Sequence, residues 1–167
     1  CVRLSARLDL AGALYAAWKG AFAGHWGRQV ESEAEFWTER RDAKIGSAFP
    51  FEPELWLLAL ARGEVIGFCL CELSASDAES VGRVGEIGVV PARRGAGLGF
   101  ALLHDGFREL RRRGATRIVL DVDAENTTSA LRLYESAGMT PRPAFTIWEK
   151  PAPPRGRSRA ARPSSLR

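Results

Sequence analysis

Apolar residues in the first quarter of the chain recur every three or four positions, which is the spacing of one face of an α-helix. Two such stretches predict amphipathic helices over residues 9–23 and 32–44, and a His-Trp-Gly break separates them. The apolar residues that define the two helical faces are Leu10, Leu14, Trp18, Phe22, Phe36 and Trp37.

The pattern then changes to short, nearly continuous apolar runs, which are typical of buried β-strands. Residues 55–61 and 65–73 form two such runs, and the Arg-Gly-Glu sequence at 62–64 predicts a tight hairpin between them. Residues 81–90 predict a third strand after a polar, turn-rich segment. We therefore expect a meander of three antiparallel strands.

Helical and strand patterns alternate in the second half of the chain. A helix is predicted from about Leu98 to Gly114, followed by a strand over 116–124, a helix over about 127–137 and a pair of strands around 139–149. Strands that are joined through helices run parallel, whereas the earlier hairpins run antiparallel. The sequence therefore predicts an α/β protein with a mixed, mostly antiparallel sheet.

The net charge of +4 is distributed unevenly along the 167 residues. Residues 151–167 contain five arginines and no acidic residue, so that residues 1–150 carry a net charge of −1. The Pro/Arg/Ser-rich end is too polar to bury a core, which predicts a folded domain over 1–150 and a disordered, solvated tail over 151–167. A tail that binds nucleic acid is the alternative, but the folded part has no basic stripe with interleaved aromatic residues, and we do not expect a nucleic-acid partner.

Membrane and metal-binding classes find no support in the sequence. No apolar run approaches the ~20 residues of a membrane-spanning helix, and the first residues lack a signal-peptide core, so we expect a cytoplasmic protein. The chain begins with Cys1 rather than Met, which indicates a processed or excised piece. Cys69 and Cys71 share one face of a predicted strand and are expected to be buried, reduced thiols. The two histidines, His25 and His104, have no companion at ligand spacing, so no metal site is predicted.

The segment Pro91–Phe100 (PARRGAGLGF) places three glycines between a predicted strand and the start of a helix. Backbone N–H groups at a helix N-terminus attract anions, and glycines let a phosphate approach closely. A nucleotide P-loop is excluded, because Phe100 follows Gly99 where that motif needs Lys and then Ser or Thr. A dinucleotide fingerprint that starts at Gly95 and Gly97 is excluded too, because Phe100 stands in place of its third glycine.

Residues 94–99 (RGAGLG) follow the pattern R-x-x-G-x-G, and residues 123–139 (DAENTTSALRLYESAGM) place an asparagine before a helix that contains Leu-Tyr-Glu. Together these segments resemble the GNAT superfamily of acetyl-CoA-dependent N-acetyltransferases. The front of the chain, over 21–27 and 53–71, is similar to the actinobacterial group that includes mycothiol synthase, whose members often carry two such domains in tandem. The resemblance implies a GNAT fold with a six- or seven-stranded sheet and about four helices.

The resemblance further implies that the glycine loop binds the pyrophosphate of acetyl-CoA through backbone N–H groups, with the arginines at 93–94 adding charge-assisted contacts. The preceding strand would splay from its neighbour at a bulge near Gly88, and the Val89 N–H would polarise the thioester carbonyl. Asn126 would also contact the cofactor, although Thr127 stands at the spacing that many family members use. The cofactor-binding residues implied by the resemblance are Ile87, Gly88, Val89, Arg93, Arg94, Gly95, Ala96, Gly97, Leu98, Gly99, Asn126 and Tyr134.

Two side chains are candidates for proton transfer. The resemblance implies that Tyr134 protonates the departing CoA thiolate, because a tyrosine holds its proton at neutral pH; a core aromatic is the alternative role. Glu86 is the candidate base that would take a proton from the incoming ammonium, with Asp121 as the alternative. Many family members carry the glutamate where this sequence has Arg83, and no base is needed if the amine arrives neutral.

We therefore expect direct acetyl transfer from acetyl-CoA to a primary amine in a ternary complex, without an acetyl-cysteine intermediate and without a metal. The acceptor pocket is expected between the N-terminal helices, the loop at 25–26 and the final strands, with Trp26, Trp37 and Phe145 as candidate lining residues. A small-molecule amine is favoured over a protein N-terminus or lysine, a homodimer is compatible with the sequence, and no membrane contact is expected. The alternative is a catalytically idle CoA-binding domain, or a degenerate GNAT half of a tandem protein.

Overall fold

A mixed five-stranded sheet with helices packed on both faces is the main feature of the computed structural model. The structure describes residues 1–23, 32–42, 47–74, 79–122 and 130–142, and structural statements below concern these residues. The elements in chain order are β1 (Val2–Arg3), α1 (Ala11–Phe22), α2 (Glu33–Trp37), β2 (Trp56–Ala61), β3 (Glu64–Leu73), β4 (Val81–Val89), α3 (Leu98–Arg112), β5 (Arg117–Val119) and α4 (Ala130–Ser136).

The strands lie in the order β1-β2-β3-β4-β5. The first four are antiparallel to their neighbours, whereas β5 pairs parallel to β4 after the chain has crossed over through α3. Arg62 (φ 52°) and Gly63 (φ 83°) form the two-residue turn between β2 and β3. Two consecutive residues with positive φ match the twist of the flanking strands, as in a type I′ turn. The predicted meander, mixed sheet and α/β class are confirmed.

Two apolar layers cover the two faces of the sheet. On one face α1 and α2 pack against β2 and β3, with Leu14, Trp18 and Phe36 buried. On the other face α3 packs through Leu102, Leu103 and Leu110, and α4 lies against the edge of the same cluster. This arrangement leaves the end of β4 between α1 on one side and the start of α3 on the other.

The two strand cysteines are buried, as the sequence predicts, and they lie under α3. Cys69 and Cys71 are buried and free, with their Sγ atoms 3.6 Å apart. Gly106 of α3 permits this packing, because a Cβ atom there would lie 2.9 Å and 3.0 Å from the two sulfur atoms.

Some elements differ from the sequence prediction. The short strand β1 was not predicted, and the second helix begins with a capping box between Ser32 and Glu35 but is α-helical only to Trp37, after which Thr38–Asp42 form a π-helical turn. Of the strand predicted over 116–124, residues 117–119 form β5, residues 120–122 are not in a strand, and residues 123–124 lie outside the described residues. Residues 139–142 are not in a strand, and the remainder of the predicted final strand pair and the predicted tail lie outside the described residues. Within the described residues, no helix has the length and hydropathy needed to cross a membrane.

Candidate functional site

Strands β4 and β5 separate along their length, so that within the described ranges part of the β4 edge has no neighbouring strand. Their parallel ladder ends at Arg83, whereas β4 stays paired with β3 to its end. Val90 donates its backbone N–H to the Ile66 carbonyl on the β3 side, at 3.1 Å. Because backbone groups alternate in direction along a strand, the N–H groups of Ile87 and Val89 point toward the edge that β5 leaves. This edge can form backbone hydrogen bonds with an extended ligand.

The β-bulge of β4 lies at Gly85. The register with β3 shifts between Leu70 and Cys71, which makes Gly85 the extra residue on β4. The prediction of a bulge near Gly88 was therefore wrong. The bulge changes which face the following side chains occupy, and it directs Glu86 toward α1, where Trp18 bonds to it.

Gly88 has a packing role instead. It lies in regular register opposite Phe68. A Cβ atom at this position would lie 2.4 Å from the Phe68 ring and 3.0 Å from the Ala21 Cβ of α1. Glycine is therefore required because Phe68 and the end of α1 pack directly against the β4 backbone.

The glycine loop leads from the end of β4 into the N-terminus of α3. Gly95 and Gly97 have φ values of 79° and 78°, a region that side chains other than glycine rarely adopt. Gly97 is the N-cap of α3, and its carbonyl accepts the first helical hydrogen bond from Ala101 at 3.1 Å. The N–H groups of residues 98–100 have no intrahelical acceptor, and they form an anion-binding end next to the uncovered β4 edge. The predicted loop residues 94–99 are therefore brought together at one helix N-terminus.

The guanidinium of Arg94 bonds to backbone carbonyls. Its Nη2 donates to the Ala21 carbonyl at 2.7 Å, and its Nε donates to the Val89 carbonyl at 3.1 Å. The neighbouring Arg93 ends a 3-10 turn, and both arginines are exposed.

Glu86 lies in a buried ion pair between β4 and the helices. Its Oε1 accepts a hydrogen bond from Arg40 Nη2 at 2.9 Å, and its Oε2 accepts from Arg40 Nε at 3.1 Å and from Trp18 Nε1 at 2.9 Å. The side chains of Arg40 and Glu86 are only 11% and 14% exposed. The Arg40 guanidinium also lies over the rings of Trp18 and Phe36, at 4.7 Å and 4.2 Å from their centroids.

Arg40 was missed at the level of sequence. It follows Phe36 by four positions, which places it on the apolar face of the predicted second helix. A charged residue on the apolar face of a helix needs a buried partner, and this signal could have identified it.

Arg83 is the last residue of β4 that pairs with β5, and its guanidinium contacts an acidic side chain on each side. Its Nη2 donates to Asp121 Oδ2 at 2.9 Å, and its Nη1 lies 3.5 Å from Glu72 Oε2. Asp121, the alternative base, therefore faces a cation at the surface, whereas the Glu72 side chain is only 14% exposed.

Tyr134 lies on α4 and approaches the site from the other face of the sheet. It packs against the cluster under α3, whereas Glu86 lies on the α1 face. Burial is the main reason that the pKa of the Tyr134 hydroxyl is raised above its usual value, and the nearby Cys69 adds to the shift. Asn126 and Thr127 lie outside the described residues, as do Trp26 and Phe145. Trp37 packs with the α1-face core and stacks on Trp56. Within the described ranges, no three metal-ligating side chains lie close together.

The chain is similar to known proteins over most of its length. A model of the Acetyltransferase (GNAT) family matches residues 13–139. The mycothiol acetyltransferase of Thermobispora bispora is 40% identical over 124 residues, which are 72% of this chain and 39% of that protein. The mycothiol acetyltransferase of Thermomonospora curvata is 36% identical over 134 residues, 80% of this chain and 41% of that protein. The chain thus spans about two fifths of the length of these relatives.

Solved structures with the same fold include proteins of different length. A GCN5-related N-acetyltransferase from Sphaerobacter thermophilus has a TM-score of 0.60 and 33% identity, over 78% of this chain and 38% of that chain. The aminoglycoside N-acetyltransferase AAC(6')-Iy in complex with CoA has a TM-score of 0.62 and 17% identity, over 86% of this chain and 90% of that chain. At this identity the second comparison shows similarity of fold alone.

Proposed function

Because the chain belongs to the GNAT acetyltransferase family, whose members use acetyl-CoA, we propose that it transfers the acetyl group of acetyl-CoA to the primary amine of a small molecule. The observation that carries this proposal is the uncovered edge of β4, which continues through the glycine loop into the N-terminus of α3. Acetyl-CoA has an extended arm with amide groups and a pyrophosphate at one end of it. The arm matches the edge of β4, and the pyrophosphate matches the glycine loop and the N-terminus of α3.

The donor is proposed to bind mainly through backbone groups. The N–H groups of residues 95–99 would hold the pyrophosphate, where the helix dipole favours negative charge. The edge at Ile87 and Val89 would pair with the amides of the pantetheine arm. A contact from Asn126 remains part of this proposal, as does a charge-assisted contact from Arg93.

The proposed reaction is a direct attack in a ternary complex. The amine nitrogen bonds to the thioester carbonyl carbon, and the negative charge that develops on the oxygen is stabilised by the Val89 N–H. Collapse of the tetrahedral intermediate breaks the C–S bond, Tyr134 donates its proton to the thiolate, and the proton that leaves the former amine nitrogen restores the tyrosine hydroxyl. Removal of one oxyanion donor typically costs about 10²–10³ in kcat, and a positioned acid or base contributes about 10²–10⁴.

The proton acceptor is proposed to be Glu86, acting through water. Both oxygens of Glu86 already accept hydrogen bonds from Arg40 and Trp18, so a water rather than the substrate nitrogen would contact it. The same contacts hold the carboxylate in one position. Asp121 is the alternative acceptor, and a substrate that arrives as the neutral amine would need neither.

The test combines donor binding with a panel of amines. Isothermal titration with acetyl-CoA is followed by an assay of CoA release over aminosugar conjugates, aminoglycosides, polyamines and peptides with a free N-terminus. We expect acetyl-CoA to bind and at least one small-molecule amine to be acetylated in preference to the peptides. Failure to bind acetyl-CoA would contradict the proposal.

A second candidate function is an idle CoA-binding domain of a longer protein. It is favoured by Arg83, which takes the place of a carboxylate that many family members carry, and by the length of the relatives, of which this chain spans about two fifths. Acetyl-CoA binding without turnover of any amine would support this candidate over the enzyme.

A further inference from the structure

The side chain of Arg94 connects the glycine loop with the adjacent end of β4 and with α1, which is remote in sequence. It starts in the glycine loop and reaches the Ala21 carbonyl of α1, which lies 73 positions away in the chain, and the Val89 carbonyl of β4. With bonds of 2.7 Å and 3.1 Å, two nitrogens of the guanidinium are engaged by backbone oxygens. The Nε–H and one N–H of Nη2, which together form one forked face of the guanidinium, are therefore not available to a phosphate while both bonds are intact.

At α1 the contact supplies a cap. Ala21 lies in the last turn of α1, where the carbonyls lack intrahelical N–H partners. A cation at this end also complements the negative end of the helix dipole. The methyl group of Ala21 packs close to Gly88, so the capped end of α1 rests directly on β4.

At β4 the contact holds the Val89 carbonyl, which lies in the peptide unit that follows the proposed oxyanion donor. The Val89 carbonyl and the Val89 N–H point to the same side of the strand, because the two groups of one residue share a direction in a β-ladder. That side is the uncovered edge. A donor that holds the carbonyl therefore restricts rotation of the residue whose N–H is the proposed oxyanion donor.

We propose that Arg94 is a positioning residue and not a phosphate ligand: it fixes the Val89 end of β4 to the C-terminus of α1, and so joins the donor-binding loop to the acceptor side of the site. The inference rests on the proposed function for the reaction that it affects. The geometric part, the link between α1 and β4, does not need the reaction.

The first test compares two donors. S-acetylpantetheine lacks the pyrophosphate that acetyl-CoA carries, so a residue that contacts only phosphate cannot matter for it. Arg94→Ala is expected to lower kcat about tenfold or more with both donors, since hydrogen bonds from a charged donor are lost. Arg93→Ala, the adjacent exposed arginine, is expected to lower kcat/KM with acetyl-CoA alone. Loss of activity in Arg94→Ala that disappears with S-acetylpantetheine would overturn the inference.

Two conservative variants sharpen the comparison. Arg94→Lys keeps a point charge that suits a phosphate but loses the fork, whereas Arg94→Gln keeps a neutral donor for a carbonyl. Positioning predicts that Gln recovers part of kcat, and that any recovery by Lys is the same with acetyl-CoA and with S-acetylpantetheine. Recovery by Lys with acetyl-CoA alone would identify a phosphate contact and overturn the inference.

The second test needs no turnover. Hydrogen exchange of the free protein is followed by mass spectrometry on peptides from the end of α1 and the end of β4. We expect Arg94→Ala and Arg94→Gln to exchange faster than wild type in the last turn of α1, by about tenfold for Ala, while Arg93→Ala exchanges like wild type. Unchanged exchange in both Arg94 variants would overturn the inference even if the enzyme is active, and faster exchange would support it even if no amine is acetylated.

Discussion

Two side chains near the junction of β4, α3 and α4 are the proposed acid and the proposed proton acceptor. Tyr134 reaches this junction from the α3 side, and Glu86 reaches it from the α1 side. The environments of the two groups differ: burial raises the pKa of the tyrosine, whereas Arg40 and Trp18 hold the carboxylate. The proposed acid and the proposed proton acceptor thus lie on opposite faces of the sheet.

Tyr134→Phe tests the acid. We expect kcat to fall by about 10²-fold or more while the Kd of acetyl-CoA stays unchanged, because only the hydroxyl is removed. The pKa of Tyr134 is raised by burial, so the acid form persists through neutral pH, and loss of the tyrosine proton should give the activity of wild type an alkaline limb. The measurement is the pH dependence of kcat for both proteins. A variant that retains wild-type kcat and the same alkaline limb would remove Tyr134 from the mechanism.

Two different kinds of contact hold the helices α1 and α3 in place. The end of α1 packs on β4 at Gly88, where a side chain would not fit. Helix α3 is anchored at its C-terminal end by Glu109, which binds Arg3, Arg112 and Arg113. The first contact is steric and the second is electrostatic. They therefore respond to different experiments.

Gly88→Ala tests the steric contact. The added methyl group would overlap the Phe68 ring, and overpacking of this kind typically costs about 1–3 kcal/mol in the free energy of unfolding. Gly85→Ala is the matched control on the same strand, because a Cβ atom there would have contacts of 3.4 Å and 3.5 Å, which are ordinary distances. Urea denaturation of both variants gives the comparison. Equal loss of stability would show that packing at Gly88 is not special.

Glu109→Gln tests the electrostatic contact. Hydrogen bonds from Arg112 are the main cause that lowers the pKa of Glu109 to about 2, and Arg3 and Arg113 act in the same direction. Because this pKa is lower in the folded than in the unfolded protein, the contribution to stability is present above pH 4.5, the ordinary value, and is lost as the pH falls toward 2. We expect the variant to lose about 2 kcal/mol at neutral pH and to show a weaker dependence of stability on acid.

Glu79→Gln is the control for the stability of Glu109→Gln at neutral pH and in acid. Glu79 binds Arg117, but both side chains are about half exposed, and such pairs contribute about 0–1 kcal/mol. If the free energy of unfolding of Glu109→Gln falls in acid as steeply as that of wild type, other carboxylates cause the acid sensitivity.

At the scale of the whole molecule, the sequence predicted the architecture better than the site. The helical and strand periods placed α1, β2, β3, β4 and α3 to within a few residues, because each period is a local property of the chain. The glycine loop was predicted for the same reason. The bulge at Gly85, the anchoring of Arg94 and the pairing of Arg40 with Glu86 were not predicted. Arg40 and Glu86 are 46 positions apart, and nothing local in the sequence connects them.

The two sulfur atoms sealed beneath Gly106 have a practical consequence for enzymology. A thiol reacts with disulfide reagents as the thiolate, and the contact with Cys71 together with burial raises the pKa of Cys69 far above its usual value. Cys1 is exposed, whereas the strand pair is shielded. A colorimetric assay that titrates liberated CoA will therefore carry a constant background of one rapidly labelled thiol per chain. Any slower labelling beyond that equivalent measures opening of the sheet beneath α3.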